Sequence, residues 1–212
     1  MASRLDARQE QNRSTPDRLL DATERLIGEH GVDGVSVRAI NTAANSNVAA
    51  THYHFGSKEA LVAAALARRM DALAADRLAM LAPLEGRRRP AVRSVAEALV
   101  LPLARLCRTA EGRPYVRFLA TLDRAGEPWR GLLTDAFAPQ WAHLGPVLAK
   151  ALPDVPELLR QFRFSAAATM LLDVLAGPER HLASAPPATL ATALVDVITG
   201  ALAAPVTEGR HQ

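Results

Sequence analysis

The sequence predicts an all-α protein in which a small N-terminal three-helix unit containing a helix-turn-helix precedes a larger helical domain. Three observations lead there. No segment sustains the two-residue alternation of a half-buried strand, and aromatic residues make up only 4% of the chain. From Ala91 onward, helical runs follow one another between proline and glycine breaks. The stretch Ser36 to Lys58, SVRAINTAANSNVAATHYHFGSK, reads as two short helices around a tight turn.

In chain order, residues 1–14 form a polar segment read as a flexible arm. Its Arg4, Arg8 and Arg13 could touch DNA outside the main site, but Asp6 and Glu10 interleave with them, so a plain disordered tail is the preferred reading. The first helix begins with Thr15 as cap and Pro16 in the first helical position, where the missing N–H is harmless. Leu19, Leu20, Thr23, Leu26 and Ile27 form its inner stripe, and Gly31 stops it. The next helix starts near Ser36, a capping residue, with Val35 and Ile40 placed as the halves of a hydrophobic staple. Val37, Ile40 and Ala44 recur on its inner side. Asn45 suits the left-handed conformation of the turn, and Asn47 caps the following helix, Val48 to about Phe55. Leu19, Ile27, Ile40 and Phe55 are the expected core of this three-helix unit.

A fourth helix runs unbroken from Ser57 to about Leu81 and ends at Pro83 and the run Glu85-Gly86-Arg87-Arg88-Arg89-Pro90. At about 1.5 Å per residue it extends roughly 37 Å, long enough to enter a second domain. The arginine run is read as a solvated loop in preference to a contact surface. Later helices are expected at Ala91–Thr109, Arg113–Ala125, Trp129–Ala151, Val155–Ala176 and Pro187–Ala204, the third of them kinked or split by Pro139 and Pro146. The last two are apolar or small nearly all round, with Asp173 and Asp196 as isolated charges. They are either central in the core or half of an interface between two copies.

Composition bounds the function. The chain has 212 residues, 49% of them hydrophobic, yet no window of eighteen uninterrupted apolar residues, so a membrane span is not expected. Its N-terminus lacks the apolar core of a secretory signal, which points to the cytoplasm. The single cysteine, Cys107, excludes an internal disulfide and a cysteine-cluster metal site; a buried small hydrophobe is the simpler reading and a redox sensor the other. The net charge of +3 does not by itself identify a polyanionic partner, but placement does more: Val35 to Lys58 contains no acidic side chain.

The second helix of the pair carries Asn47, His52, Tyr53 and His54 around small Ala49 and Ala50, so its backbone could approach a duplex groove while polar tips reach past it. Gly56 permits a sharp turn, Ser57 caps the fourth helix, and Lys58 places a cation where the macrodipole is already positive. That choice suits a phosphate, although a solvated surface lysine is the alternative. No catalytic constellation stands out. His52 and His54 diverge by about 200° and cannot share a metal; no cofactor is expected. Arg117, Phe118, Trp129, Phe137, Trp141, Phe162 and Met170 supply bulky groups that either line a small-molecule pocket or simply pack.

The run Leu19 to Leu61, with LLDATERLIGEHGVDGVSVRAI and then NVAATHYHFGSKEAL, resembles the DNA-binding domain of the TetR family of bacterial transcriptional regulators. It departs from the family at the turn, where Asn45 and Ser46 stand for the frequent glycine and apolar residue, and at Val48 and His52, where lysine and tyrosine are frequent. The resemblance implies a DNA-binding domain at 15–58, a helical effector-binding and dimerisation domain at 59–205 and a flexible tail at 206–212. It further implies a homodimer through helices near 155–176 and 187–204, a near-palindromic double-stranded DNA operator, a small-molecule effector, and repression as the usual sign. Asn47, Ala49, His52 and Tyr53 are the candidates at or near base edges; Ser36, Arg38, His54 and Lys58 are the candidates for phosphates. Two other readings are a small-molecule binding protein or enzyme whose helix-turn-helix is purely structural, and a sequence-indifferent DNA-coating protein.

Overall fold

The computed structural model describes residues 14–182 and 186–206, so the predicted arm and tail lie outside the described residues except at Ser14 and Val206. Every regular element among the described residues is a helix: α1 Thr15–His30, α2 Val37–Ala43, α3 Val48–Phe55, α4 Lys58–Glu85, α5 Val92–Leu106, α6 Gly112–Arg124, α7 Trp129–Ala151, α8 Glu157–Ala176, α9 Glu179–Leu182 and α10 Pro187–Ala203. The chain divides into two compact units. The first runs to Met70 and includes Arg117–Ala136; the second comprises Asp71–Val116 and the chain from Phe137 onward. None of the described helices is long and apolar enough to cross a membrane.

Boundaries follow local chemistry, with small departures from the sequence expectation. The cap of α1 is Ser14, one residue earlier than Thr15, because the Ser14 hydroxyl accepts from the Asp17 N–H at 3.3 Å. Gly31 ends the helix at φ 82°, a conformation in which most side chains are strained. Pro83 does not end α4, which continues to Glu85; near a helix terminus a proline removes a single ladder bond, to the carbonyl four residues back. Likewise α7 is one continuous helix through Pro139 and Pro146. The short α9 was not anticipated by periodicity, since one turn is too brief to show any.

In the first unit, α1 packs on α2 and α3. Leu19, Ile27 and Ile40 are fully buried, as are Leu61, Phe118, Leu119 and Leu122; Phe55, the fourth expected core residue, is only half-buried. An ionic clasp ties α1 to the start of α4. Arg68 Nη2 donates to Asp21 Oδ1 and Glu24 Oε1, both at 2.6 Å, and Arg69 Nε lies 3.5 Å from Glu24 Oε2. The Glu24 side chain is almost wholly buried, and that burial raises its carboxyl above the ordinary range while Arg68 and Arg69 pull it back.

In the second unit, α10 packs on α5 and α8. Val95, Ala96, Val100, Ile198 and Leu202 are buried there. Buried Arg163 of α8 donates from Nη1 to the Leu202 carbonyl at 2.9 Å and from Nη2 to the Pro205 carbonyl at 3.2 Å. Its charge therefore meets the negative end of the α10 macrodipole and the carbonyls that the helix leaves unpaired.

Removing Arg68 leaves the Glu24 carboxylate buried with less compensation. Because the folded protein raises Glu24, its protonated form is favoured by folding, a contribution fully present below the ordinary carboxyl range and lost as pH climbs through the raised value. Arg68→Ala is expected to cost about 3 kcal/mol at pH 8 and distinctly less at pH 5, where Glu24 can take up a proton; denaturant unfolding at the two pH values measures this, and equal losses would contradict it.

Candidate nucleic-acid interface

The helix-turn-helix is built by caps at both ends and a buried polar node between them. Ser36 accepts from the Ala39 N–H at 3.1 Å, and Asn47 accepts from the Ala50 N–H at 3.0 Å, so each of the two short helices has a side chain closing its first turn. Asn45 sits at φ 50°, the left-handed turn residue that its side-chain type allows. Gly56, at φ 81°, reverses the chain after α3, and Ser57 accepts from the Ala60 N–H at 3.1 Å to start α4.

Asn41 holds the two helices together. It is buried, its Nδ2 donates to the Val37 carbonyl at 2.8 Å and to Thr51 Oγ1 on α3 at 2.7 Å, and its Oδ1 accepts from the Ser46 hydroxyl at 3.0 Å. Val35 and Ile40, the staple pair, are buried on the same helix entry. Arg18 adds a tie from α1, donating from Nε to the Ala44 carbonyl at 3.0 Å just past α2. Sequence reading did not single out Asn41, Thr51 or Arg18. A signal existed for Asn41: it falls four residues after Val37 and three before Ala44, on the side otherwise read as apolar.

With Thr51 turned inward, α3 exposes the rest of its polar residues. Ser36, Arg38, Asn47, Ala49, His52, Tyr53 and His54 all lie at the surface, and Tyr53 is 83% exposed. Tyr53 and His54 meet edge to face with centroids 4.9 Å apart. His52 places Nδ1 3.0 Å from the Gly56 carbonyl; with the proton on Nδ1, the neutral ring keeps Nε2 as an outward acceptor, suited to a base amino group. No acidic residue occurs between Val35 and Lys58.

Lys58 is placed differently from the others. It is half-buried, its Nζ donates to the Val32 carbonyl at 2.5 Å, and it lies 5.4 Å from the centroid of the Trp129 ring. In this arrangement its charge is engaged within the first unit, so a phosphate would have to draw it from the carbonyl and the indole face.

The seven candidates for a ligand pocket do not share one environment. Phe118 and Trp129 are buried in the first unit, with half-buried Arg117. In the second unit the Trp141 and Phe164 rings meet tilted with centroids 4.6 Å apart, and the Phe137 ring centroid lies 5.6 Å from the Arg77 guanidinium carbon. Met170 is half-buried, whereas Phe162 is 67% exposed and faces solvent on α8.

A capped pair of helices presenting an uncharged-to-basic polar face, in an otherwise helical chain, is the arrangement of a helix-turn-helix of the kind that docks on duplex DNA. Comparison with known proteins gives the family. Residues 19–65 match the family model described as bacterial regulatory proteins, tetR family, and residues 97–204 match the one described as tetracyclin repressor-like, C-terminal domain. The chain belongs to the TetR family. Its fold is similar to that of the transcriptional regulator FadR from Bacillus subtilis in complex with stearoyl-CoA, at 11% identity and TM-score 0.61, covering 87% of this chain and 97% of that one. It is similar also to a transcriptional regulator from Rhodococcus sp. Rha1, at 21% identity and TM-score 0.55 over 89% and 96% of the two chains. A third similar fold is the TetR family transcriptional regulator PfmR from Thermus thermophilus, at 18% identity and TM-score 0.53 over 93% and 100%. No curated protein matches the chain.

Asn41→Ala removes the acceptor and donor that Ser46 and Thr51 use. It is expected to destabilise the protein by about 2 kcal/mol and to weaken duplex binding beyond that loss of folded protein, because α3 is no longer fixed against α2. Unfolding curves and duplex titrations of the same preparation check this; a variant with full duplex affinity would remove Asn41 from the positioning role.

Proposed function

We propose that the protein is a cytoplasmic, homodimeric repressor that reads a near-palindromic operator through α3 and is released from it by a small-molecule effector. The observation that carries this reading is the exposed, acid-free face of α3, held rigid from behind by Asn41. Asn47, His52 and Tyr53 contact base edges or adjacent phosphates, with Ala49 allowing close backbone approach; Ser36, Arg38 and His54 grip phosphates, and Lys58 joins them when it leaves Val32. A purely structural helix-turn-helix would have no use for such a face.

Dimerisation is supported by the surfaces of α8 and α10. Leu158 at 79% exposure and Phe162 at 67% lie four residues apart on α8, continued by exposed Ser165, Ala166 and Thr169. On α10, Val197 is 54% exposed beside exposed Gly200 and Ala203. Large apolar side chains left in water at helical spacing, alternating with small ones that admit a neighbouring helix, suit a self-complementary interface between two copies. Two heads related by a twofold axis then meet two half-sites about one helical turn apart.

The effector acts through the second unit, and α4 contributes residues to both units, so a change in its position is the proposed link to the heads. A ligand accomplishes this only by binding the two arrangements unequally.

Tyr53→Ala is expected to weaken operator binding roughly tenfold or more, the loss of one good base contact, while helicity and dimer mass are retained. Fluorescence anisotropy with a labelled operator at matched salt reads this, and an unchanged affinity would take Tyr53 off the reading surface. Phe162→Glu is expected to convert the protein to monomer in analytical ultracentrifugation and to abolish high-affinity operator binding; a dimer of undiminished strength would place the interface elsewhere.

A further inference from the structure

Arg77 occupies a position where α4 otherwise buries leucine. Leu73, Arg77, Leu81 and Leu84 follow one another at helical spacing, and all four are buried, Arg77 at only 4% exposure. Across from it, Gln140 of α7 is likewise a buried polar residue, at 4%. The Arg77 Nη1 donates to Gln140 Oε1, and its Nε donates to the Ala98 carbonyl at 3.4 Å. That carbonyl is available because Pro102, four residues on in α5, has no N–H to give it. Phe137 covers the guanidinium from 5.6 Å.

What this environment lacks is a negative charge. Asp76, next to Arg77 in the chain, faces outward and pairs with Arg105 at 3.5 Å. The exposed arginines 89, 93 and 180 have carboxylates within 3.1 Å. Buried Arg163 has a helix C-terminus, whereas Ala98 lies in the middle of α5 and offers no such dipole end. Of the five N–H donors of a guanidinium, Nε and one on Nη1 are engaged, so three have no acceptor among the described residues. Desolvation alone, with no carboxylate to oppose it, pushes Arg77 down to about 10. A buried charge is ordinarily paired, and a core arginine facing only neutral groups stands out against that rule.

We infer that Arg77, with Gln140, Ala98 and Phe137 around it, is the anchor for a small organic anion, and that the effector of this regulator carries a carboxylate or a comparable planar monoanion. The free edge of the guanidinium accepts such a group through two parallel hydrogen bonds. Gln140 fixes the fork from the other side, and a neutral analogue of the same shape would leave the cation as it is. This rests on the reading of the protein as an effector-controlled regulator and assigns the chemical class of that effector.

The test uses the full-length protein, with thermal unfolding followed in acetate, benzoate and decanoate against acetamide, benzamide and decan-1-ol at equal ionic strength. At least one acid is expected to raise the melting temperature above its neutral counterpart, and Arg77→Met to erase that difference while melting no lower than the parent without ligand. Gln140→Glu, which supplies an internal counter-charge, is expected to raise the ligand-free melting temperature and to blunt the acid response, so the inference stays testable if Arg77→Met does not fold. No preference for any acid, a preference that survives in the folded variants, or a ligand-free loss of stability in Gln140→Glu overturns it. Binding to a selected duplex is measured in parallel. Duplex binding without an acid response sinks this inference alone, whereas an acid response without duplex binding sinks the regulator reading and leaves the anion site standing.

Discussion

An eight-residue helix does not hold its shape in water, since nucleation is unfavourable and too few bonds follow to offset it. Everything proposed for α3 therefore depends on the contacts that grip it from behind. Asn41 is the centre of that grip: one amide group reaches α3 through Thr51, its own helix through Val37, and the turn through Ser46. Because the Asn41 side chain is buried and its bond to Thr51 is fully enclosed, these bonds are expensive to break, which restricts the angle between α2 and α3. A fixed angle is what allows a row of short polar side chains to be aimed at a groove.

The same logic distinguishes two of the charged groups that the fold buries, Glu24 and Arg77. Glu24 is almost fully enclosed, and although burial raises its carboxyl, Arg68 and Arg69 oppose that rise and the cluster fastens α1 to α4. Arg77 is enclosed to a similar degree and faces an amide, a carbonyl and a ring. One site holds opposite charges in contact; the other holds a cation that faces neutral groups. That contrast, more than the size of any aromatic residue, marks the second unit as a place for an anion.

Much of the head was legible in the sequence because its information is local. Ser36, Asn45, Asn47, Gly56 and Ser57 each adopt the capping or turning role that their chemistry favours, and they set the element boundaries within a residue or so. Where local rules compete with continuation, boundaries slipped: Pro83 was expected to close α4, but near the end of a long helix it removes too little to do so. The inner ties were less visible. Thr51 lies ten residues from Asn41 and Lys58 lies 26 from Val32, separations at which no periodic pattern signals contact. Bulk was a poor guide to a pocket, since Phe118 is buried whereas Phe162 lies in solvent. A polar residue out of place, Arg77 in a leucine stripe, is the more specific signal, and it is masked in the sequence because α4 carries other arginines, Arg68 and Arg69, at positions where charge is ordinary.

The central claim is that two copies of α3, each braced by Asn41, read one duplex together. Repeated selection of bound sequences from a random duplex library by the full-length protein tests this most directly. Enrichment of a twofold-symmetric sequence with half-sites about one helical turn apart is the expected result. Binding that enriches no sequence, or only an isolated asymmetric site occupied by a single copy, would contradict it.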